Sequence, residues 1–173
     1  MTKRRFQPLS LAVTAVMSAI VFVLTRMVQV PTPARGYIHL GDAGVFFSAF
    51  AFGPWIGGLA GGLGTGLADV TSGFAQWAPF SFLIHGLQGW VVGWTSERWT
   101  GMRGLLLSTV LGGVIVVVGY LFAGMILSGI GAALGELPMN VIQVSAGALV
   151  GVPLFAAVRQ AYPPIVNLGR QRH

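Results

Sequence analysis

From Val141 to Val158 the chain is almost wholly apolar, and the run is long enough to lie in lipid. Comparable runs recur along the 173 residues, separated by short segments rich in glycine, proline and basic residues. With 54% hydrophobic and 8% charged residues, the chain falls far short of the roughly 25% charged content of an average soluble domain. An integral membrane protein follows. A spanning helix takes about 20 residues, fewer where neighbours bury it. The length therefore predicts an all-α bundle of six transmembrane helices, one domain over residues 1–173 with no separate soluble part. There is no cysteine, which excludes disulfides, thiolate nucleophiles and thiolate metal sites. The net charge of +6 suits either nucleic acid or anionic headgroups. The basic residues cluster at helix ends, so the bilayer is the expected partner and nucleic acid is not.

The predicted helices cover about 9–28, 41–55, 57–71, 80–94, 104–127 and 137–159. Met1-Thr-Lys-Arg-Arg before the first run also suits a signal peptide, but the apolar core reaches spanning length and reads as a retained helix. Pro31-Thr-Pro33-Ala-Arg35-Gly36, Gly73 to Pro79, Thr95 to Arg103 and Ser128 to Gly135 read as loops. Pro138 suits the first turn of the sixth helix, and Pro153 predicts a kink. Six spans put both termini on one side. That side then holds Lys3, Arg4, Arg5, Arg98, Arg103, Arg159, Arg170 and Arg172, against Arg26 and Arg35 on the other. The bias of Lys and Arg toward the cytoplasm places both termini inside, in a multi-pass cell-membrane protein.

Polar residues recur on single helix faces within the apolar runs. Glu136, Asn140 and Gln143 stand at i, i+4 and i+7; Ser81, His85, Gln88 and Thr65, Asp69, Ser72 repeat the device. In the predicted topology all three stripes fall in the outer half of the membrane, with His85 and Gln88 roughly 7 and 12 Å deep at 1.5 Å per residue. Buried polar groups in lipid are expensive and usually functional. A vestibule closed at its base fits the pattern; a channel needs polar groups along its full length.

Each candidate has a structural reading beside the functional one. Asp42 reads as a helix N-cap or a ligand contact, with His39 as its partner in a gate or pocket edge. Asp69 pairs with Arg26 or Arg35, or faces the solute. Glu136 reads as an N-cap as readily as a site residue. Asn140, Gln143, His85 and Gln88 bind a heterocycle or bond between helices. Trp77, with Phe74, stacks on a flat ring or anchors at the interface; Trp55, Trp94 and Trp99 read as interfacial belt residues. The glycines of the third helix, Gly57 to Gly66, read as close packing inside the bundle. Ala15 and Ala19 leave a smooth face on a first helix that has no strongly polar group in its span, a docking surface for another membrane protein.

The stretch Gly36-Tyr-Ile-His-Leu-Gly-Asp-Ala-Gly44, continuing through Phe52-Gly-Pro-Trp55 and Gly57-Gly-Leu-Ala-Gly-Gly-Leu-Gly64 to Ala68-Asp69, resembles the substrate-binding S components of energy-coupling factor (ECF) transporters, in the branch of riboflavin and hydroxymethylpyrimidine carriers. The resemblance implies a six-helix bacterial vitamin-uptake subunit. It implies a pocket formed by residues 35–42, 69–81 and 136–143, open to the outside. It also implies docking on a membrane coupling subunit through an Ala-xxx-Ala pattern, matched here by Ala15 and Ala19, and drive from two cytoplasmic ATPases. This chain has no G-x-x-x-x-G-K-[ST], so ATP chemistry belongs to partners. Cobalt and nickel members carry an N-terminal histidine; Met1-Thr-Lys-Arg departs from that, which argues against metal transport, and no metal site or cofactor is expected.

The leading expectation is a vitamin-binding membrane subunit whose amides, histidine and aromatics select a flat heterocycle. A stand-alone channel or facilitator is the alternative. A membrane enzyme is the third class, weakened by the absence of H-E-x-x-H, G-x-S-x-G and cysteine.

Overall fold

Six helices and one small hairpin make up the computed structural model, which describes residues 8–32 and 36–168. Helix α1 (Pro8–Met27) leads into an antiparallel pair, β1 (Gln29–Pro31) and β2 (Tyr37–His39), in which Val30 faces Ile38. Then follow α2 (Gly41–Phe52), α3 (Pro54–Thr71), α4 (Ala78–Arg98), α5 (Gly101–Ser128) and α6 (Ile130–Ala161), with a 3₁₀ turn over Pro163–Asn167. The bundle thus has a hairpin end, where α1, α3 and α5 finish, and a far end, where α2, α4 and α6 finish.

Helix α2 sits at the centre. All of its residues except Phe47 are buried, against α1, α3, α4 and α6. Twelve residues reach about 18 Å at 1.5 Å each, short of the ~30 Å hydrocarbon layer. A helix ringed by other helices has no need to match that thickness. Three helices, α1, α5 and α6, are long and apolar enough to cross a membrane by themselves. The shorter or more polar α2, α3 and α4 contribute most of the buried polar residues.

Glycine permits this packing. A Cβ added at Gly89 would stand 2.2 Å from the Gly57 carbonyl oxygen, and one at Gly61 would stand 2.5 Å from that of His85. The glycine-rich face of α3 is therefore spent inside the bundle against α4, as expected. Gly147 and Gly151 do the same for α6 on α2: a Cβ at Gly147 would lie 2.3 Å from the Asp42 Cβ. Gly53 and Gly129, at φ +85°, make the sharp turns into α3 and α6 that side-chain-bearing residues resist.

Several boundaries differ from expectation. Helix α6 begins at Ile130, not near Leu137, so the Gly/Ala-rich stretch is helical beyond Gly129. Pro138 consequently lies inside the helix rather than in its first turn. Helix α4 takes in the polar Thr95 to Arg98. Arg98 is seated there by its guanidinium, 4.3 Å over the Trp94 ring. Arg98, Arg103 and Arg159 lie on far-end elements and Arg26 near the hairpin end. The remaining basic residues of the charge count lie outside the described residues. Ala15 and Ala19 fall on the exposed side of α1, away from the buried Met17, Val21 and Thr25.

Candidate functional site

The hairpin end holds a cavity with about 550 Å³ of free space, counting its open mouth. Five elements close around it: Tyr37 and His39 from β2, Asp69 from α3, Ser81 from α4, Tyr120 from α5, and Glu136, Asn140 and Gln143 from α6, with Trp77 at the head of α4. The hairpin is tied down at several points. The Tyr37 hydroxyl donates to Asp69 Oδ1, the Gln29 amide donates to Ser72 Oγ at 2.9 Å, and the Tyr37 ring packs on Phe74 at 4.9 Å. Burial and the neighbouring Asp69 carboxylate push the Tyr37 phenol well above its ordinary pKa, so it stays a donor.

Directly beneath lies a second polar cluster centred on Asp42, which is fully buried. Gln88 Nε2 donates to its Oδ1 at 2.8 Å and Gln143 Nε2 to its Oδ2 at 2.9 Å. The amide orientations follow from their other partners. Gln143 Oε1 accepts the backbone N–H of His39 at 3.2 Å, which only an oxygen can do. Gln88 Oε1 then faces His85 Nδ1 at 2.8 Å, so that nitrogen carries a proton. His85 Nε2 meets the Tyr120 hydroxyl at 3.1 Å, and Tyr120 meets Ser81 Oγ at 2.7 Å. The chain of bonds thus runs from Asp42 to the cavity wall. His39 Nδ1 accepts the Gly41 N–H at 3.1 Å, which leaves its ring proton on Nε2. Burial, with His85 nearby, lowers the His39 pKa from 6.5 to about 3, so the ring is neutral. His39, Asp42 and His85 bring potential metal-ligating atoms within 4.8 Å of one another. Both Asp42 oxygens, His39 Nδ1 and His85 Nδ1 are already engaged with protein groups.

The family model of the ECF-type riboflavin transporter S component matches residues 5–160. The chain belongs to that family. A protein of Pyrococcus woesei, described as an uncharacterized protein in a gap 3′ region, is 40% identical over 148 residues, 85% of this chain and 99% of that protein. The thiamine precursor transporter HmpT of Lactococcus lactis subsp. cremoris is 34% identical over 139 residues, 79% of this chain and 80% of its own. Among solved structures, the S component of a bacterial ECF transporter superposes with a TM-score of 0.71 at 19% identity, covering 88% of this chain and 96% of that one. The S component for biotin from an ECF-type ABC transporter gives 0.66 at 18% identity, covering 89% and 90%. This S component is therefore a multi-pass membrane subunit that binds substrate for a vitamin transporter, in a family of transporters and not of enzymes.

Six of the sequence candidates line the cavity of this S component: His39, Asp69, Trp77, Glu136, Asn140 and Gln143. Asp42, His85 and Gln88 instead form the layer behind it. Asp42 does not cap α2; its carboxylate makes no capping bond and is held by the two glutamines. Glu136 lies within α6, not at its N-cap. Asp69 pairs with Tyr37 rather than Arg26, and Arg35 lies outside the described residues. Thr65 is spent on the Gly61 and Ser81 carbonyls. Tyr37 and Tyr120 escaped selection as site residues. Tyr37 sits in a short strand without a periodic pattern. Tyr120, Gly124 and Ser128 share a face at i, i+4 and i+8, and all three line the cavity; that spacing was the available signal.

Proposed function

We propose that this S component captures a flat, mostly neutral heterocyclic vitamin or vitamin precursor from outside the cell, in the cavity at the hairpin end. The cavity carries the reading: it joins aromatic rings, amides and hydroxyls from five separate elements, at the end toward which the polar stripes point. The family description names riboflavin and the Lactococcus relative is named for a thiamine precursor; both are compounds of this class. His39, Asp69, Trp77, Glu136, Asn140 and Gln143 are the proposed contacts, with Asp42, His85 and Gln88 fixing the wall behind them. The hairpin end is external and both termini are cytoplasmic, consistent with the basic residues at the far end.

The proposed partners are a membrane coupling subunit and two cytoplasmic ATPase subunits. Ala15 and Ala19, on the exposed side of α1, offer the smooth face for docking. Purified protein titrated with riboflavin, hydroxymethylpyrimidine, thiamine and pyridoxine, with heat released and melting temperature recorded, tests the substrate. Saturable binding of one of them is expected, and binding of none sinks the reading. Ala15→Leu with Ala19→Leu tests the docking face. Binding by the isolated protein should persist while ATPase-driven uptake falls; loss of both would place that face inside the bundle.

A further inference from the structure

The two oxygens of Asp69 live in different surroundings. Oδ1 accepts the Tyr37 hydroxyl. Oδ2 is buried and has no hydrogen-bond partner, in a residue that is 4% exposed and lines the cavity. Ser81 stands close enough to interact with the carboxylate, but Tyr120 donates its proton to the bare Nε2 of His85, so the single Ser81 proton goes to the Tyr120 oxygen at 2.7 Å. A buried carboxylate oxygen without a donor is costly. It is tolerated where a donor from outside the chain can reach it. The surroundings narrow what that is. Glu136 adds a second carboxyl to the lining, and no lysine or arginine lines the cavity among the described residues. A ligand carbonyl, carboxylate or phosphate oxygen placed against Oδ2 would be repelled; an N–H or O–H donor would be accepted, and on a flat heterocycle the donor edge is an N–H.

Resting on the reading of this cavity as the vitamin site, we infer that Asp69 Oδ2 accepts an N–H of the bound ligand, a ring imide N–H or an exocyclic amino group. The ligand is then a neutral or cationic heterocycle that turns a donor edge toward α3. Tyr37 is the positioning residue: its bond to Oδ1 sets the rotation of the carboxylate, so the hairpin and the ligand hold the same group from two sides. Trp77 and Tyr120, with ring centroids 6.1 Å apart, supply flat apolar surface in the same cavity.

Asp69→Asn isolates the claim. The amide keeps an oxygen for Tyr37 and presents NH₂ where Oδ2 stood, so a ligand N–H meets a donor. Calorimetric titrations of purified protein would use two probe pairs: riboflavin with 3-methylriboflavin, and 4-amino-5-(hydroxymethyl)-2-methylpyrimidine with its 4-methyl counterpart. For the pair whose parent binds, the wild type should prefer the N–H form by on the order of ten- to a hundredfold. In Asp69→Asn that preference should collapse, with the analogue lacking the donor bound about as before. An unchanged preference in Asp69→Asn overturns the inference while leaving the cavity as the vitamin site. Equal binding of both members of a pair by the wild type also overturns it, whether or not the variant folds. Failure of every probe to bind folded wild type removes the inference and the reading of the cavity together.

Discussion

Two polar clusters share the hairpin end, drawn from the same helices and in places a single turn apart, yet they are satisfied in different ways. Around Asp42 the protein supplies every partner: Gln88 and Gln143 occupy both oxygens, and each glutamine's own oxygen is taken by His85 or the His39 backbone. Around the cavity the protein leaves capacity unused. Asp69 Oδ2 is unpartnered, and among the described residues the Asn140 side chain makes no hydrogen bond. Asn140 and Gln143 mark the divide within one helix. Buried polar groups that are fully paired rigidify a core; those left unpaired beside a cavity keep the capacity to bond a ligand. Polarity in a membrane helix therefore does not by itself mark a binding residue.

Asp42 joins both glutamines of the deeper cluster. Asp42→Ala strands two buried glutamine amides and is expected to lower the stability of the ligand-free protein by about 3 kcal/mol or more. Thermal unfolding in detergent reads this, and binding should be lost as the wall behind the cavity loosens. A variant that melts like the wild type would show that the deeper cluster does not hold the bundle.

Gly147→Ala probes the same cluster without touching a polar atom. The new methyl must push against Asp42, 2.3 Å from its Cβ, at a cost of about 1–3 kcal/mol. The matched substitution Gly135→Ala, where nothing lies within 4 Å, should be tolerated. Equal melting temperatures for the two would contradict the packing described.

His39 joins the clusters, and its titration gives a smaller effect. Its folded pKa is depressed, from 6.5 to about 3, so the unfolded chain binds more protons between those values. The stabilisation is present above pH 6.5 and lost as pH falls toward 3. From pH 7 to 5 the loss should reach about 1–2 kcal/mol. His39→Asn keeps an acceptor for the Gly41 N–H and cannot titrate. Its melting temperature should be less acid-sensitive than that of wild type, and an identical pH profile would show that His39 is not held neutral.

Much of this was legible in the residues. Apolar runs carry the helices, and i, i+4, i+7 polar spacing places Asn140 and Gln143 on one face. The hairpin was not legible, because strands of three residues around Pro31 are too short to show alternation. The start of α6 was obscured by Gly131 and Gly135, which read as a turn in water but remain helical where neighbouring helices and lipid leave the backbone no other partners. The split between cavity and support was also hidden. Periodicity says which face a side chain shares, not whether a glutamine's amide is already taken by an aspartate 101 positions away.

The most direct test pairs Asn140→Ala with Gln143→Ala, measuring ligand affinity and ligand-free melting temperature on the same preparations. Asn140→Ala should weaken binding roughly fivefold to a hundredfold and leave melting nearly unchanged. Gln143→Ala should lower both, because it also frees Asp42 Oδ2 and the His39 N–H. If Asn140→Ala binds as the wild type does, or loses as much thermal stability as Gln143→Ala, the cavity is not the ligand site and the contrast between the two clusters fails.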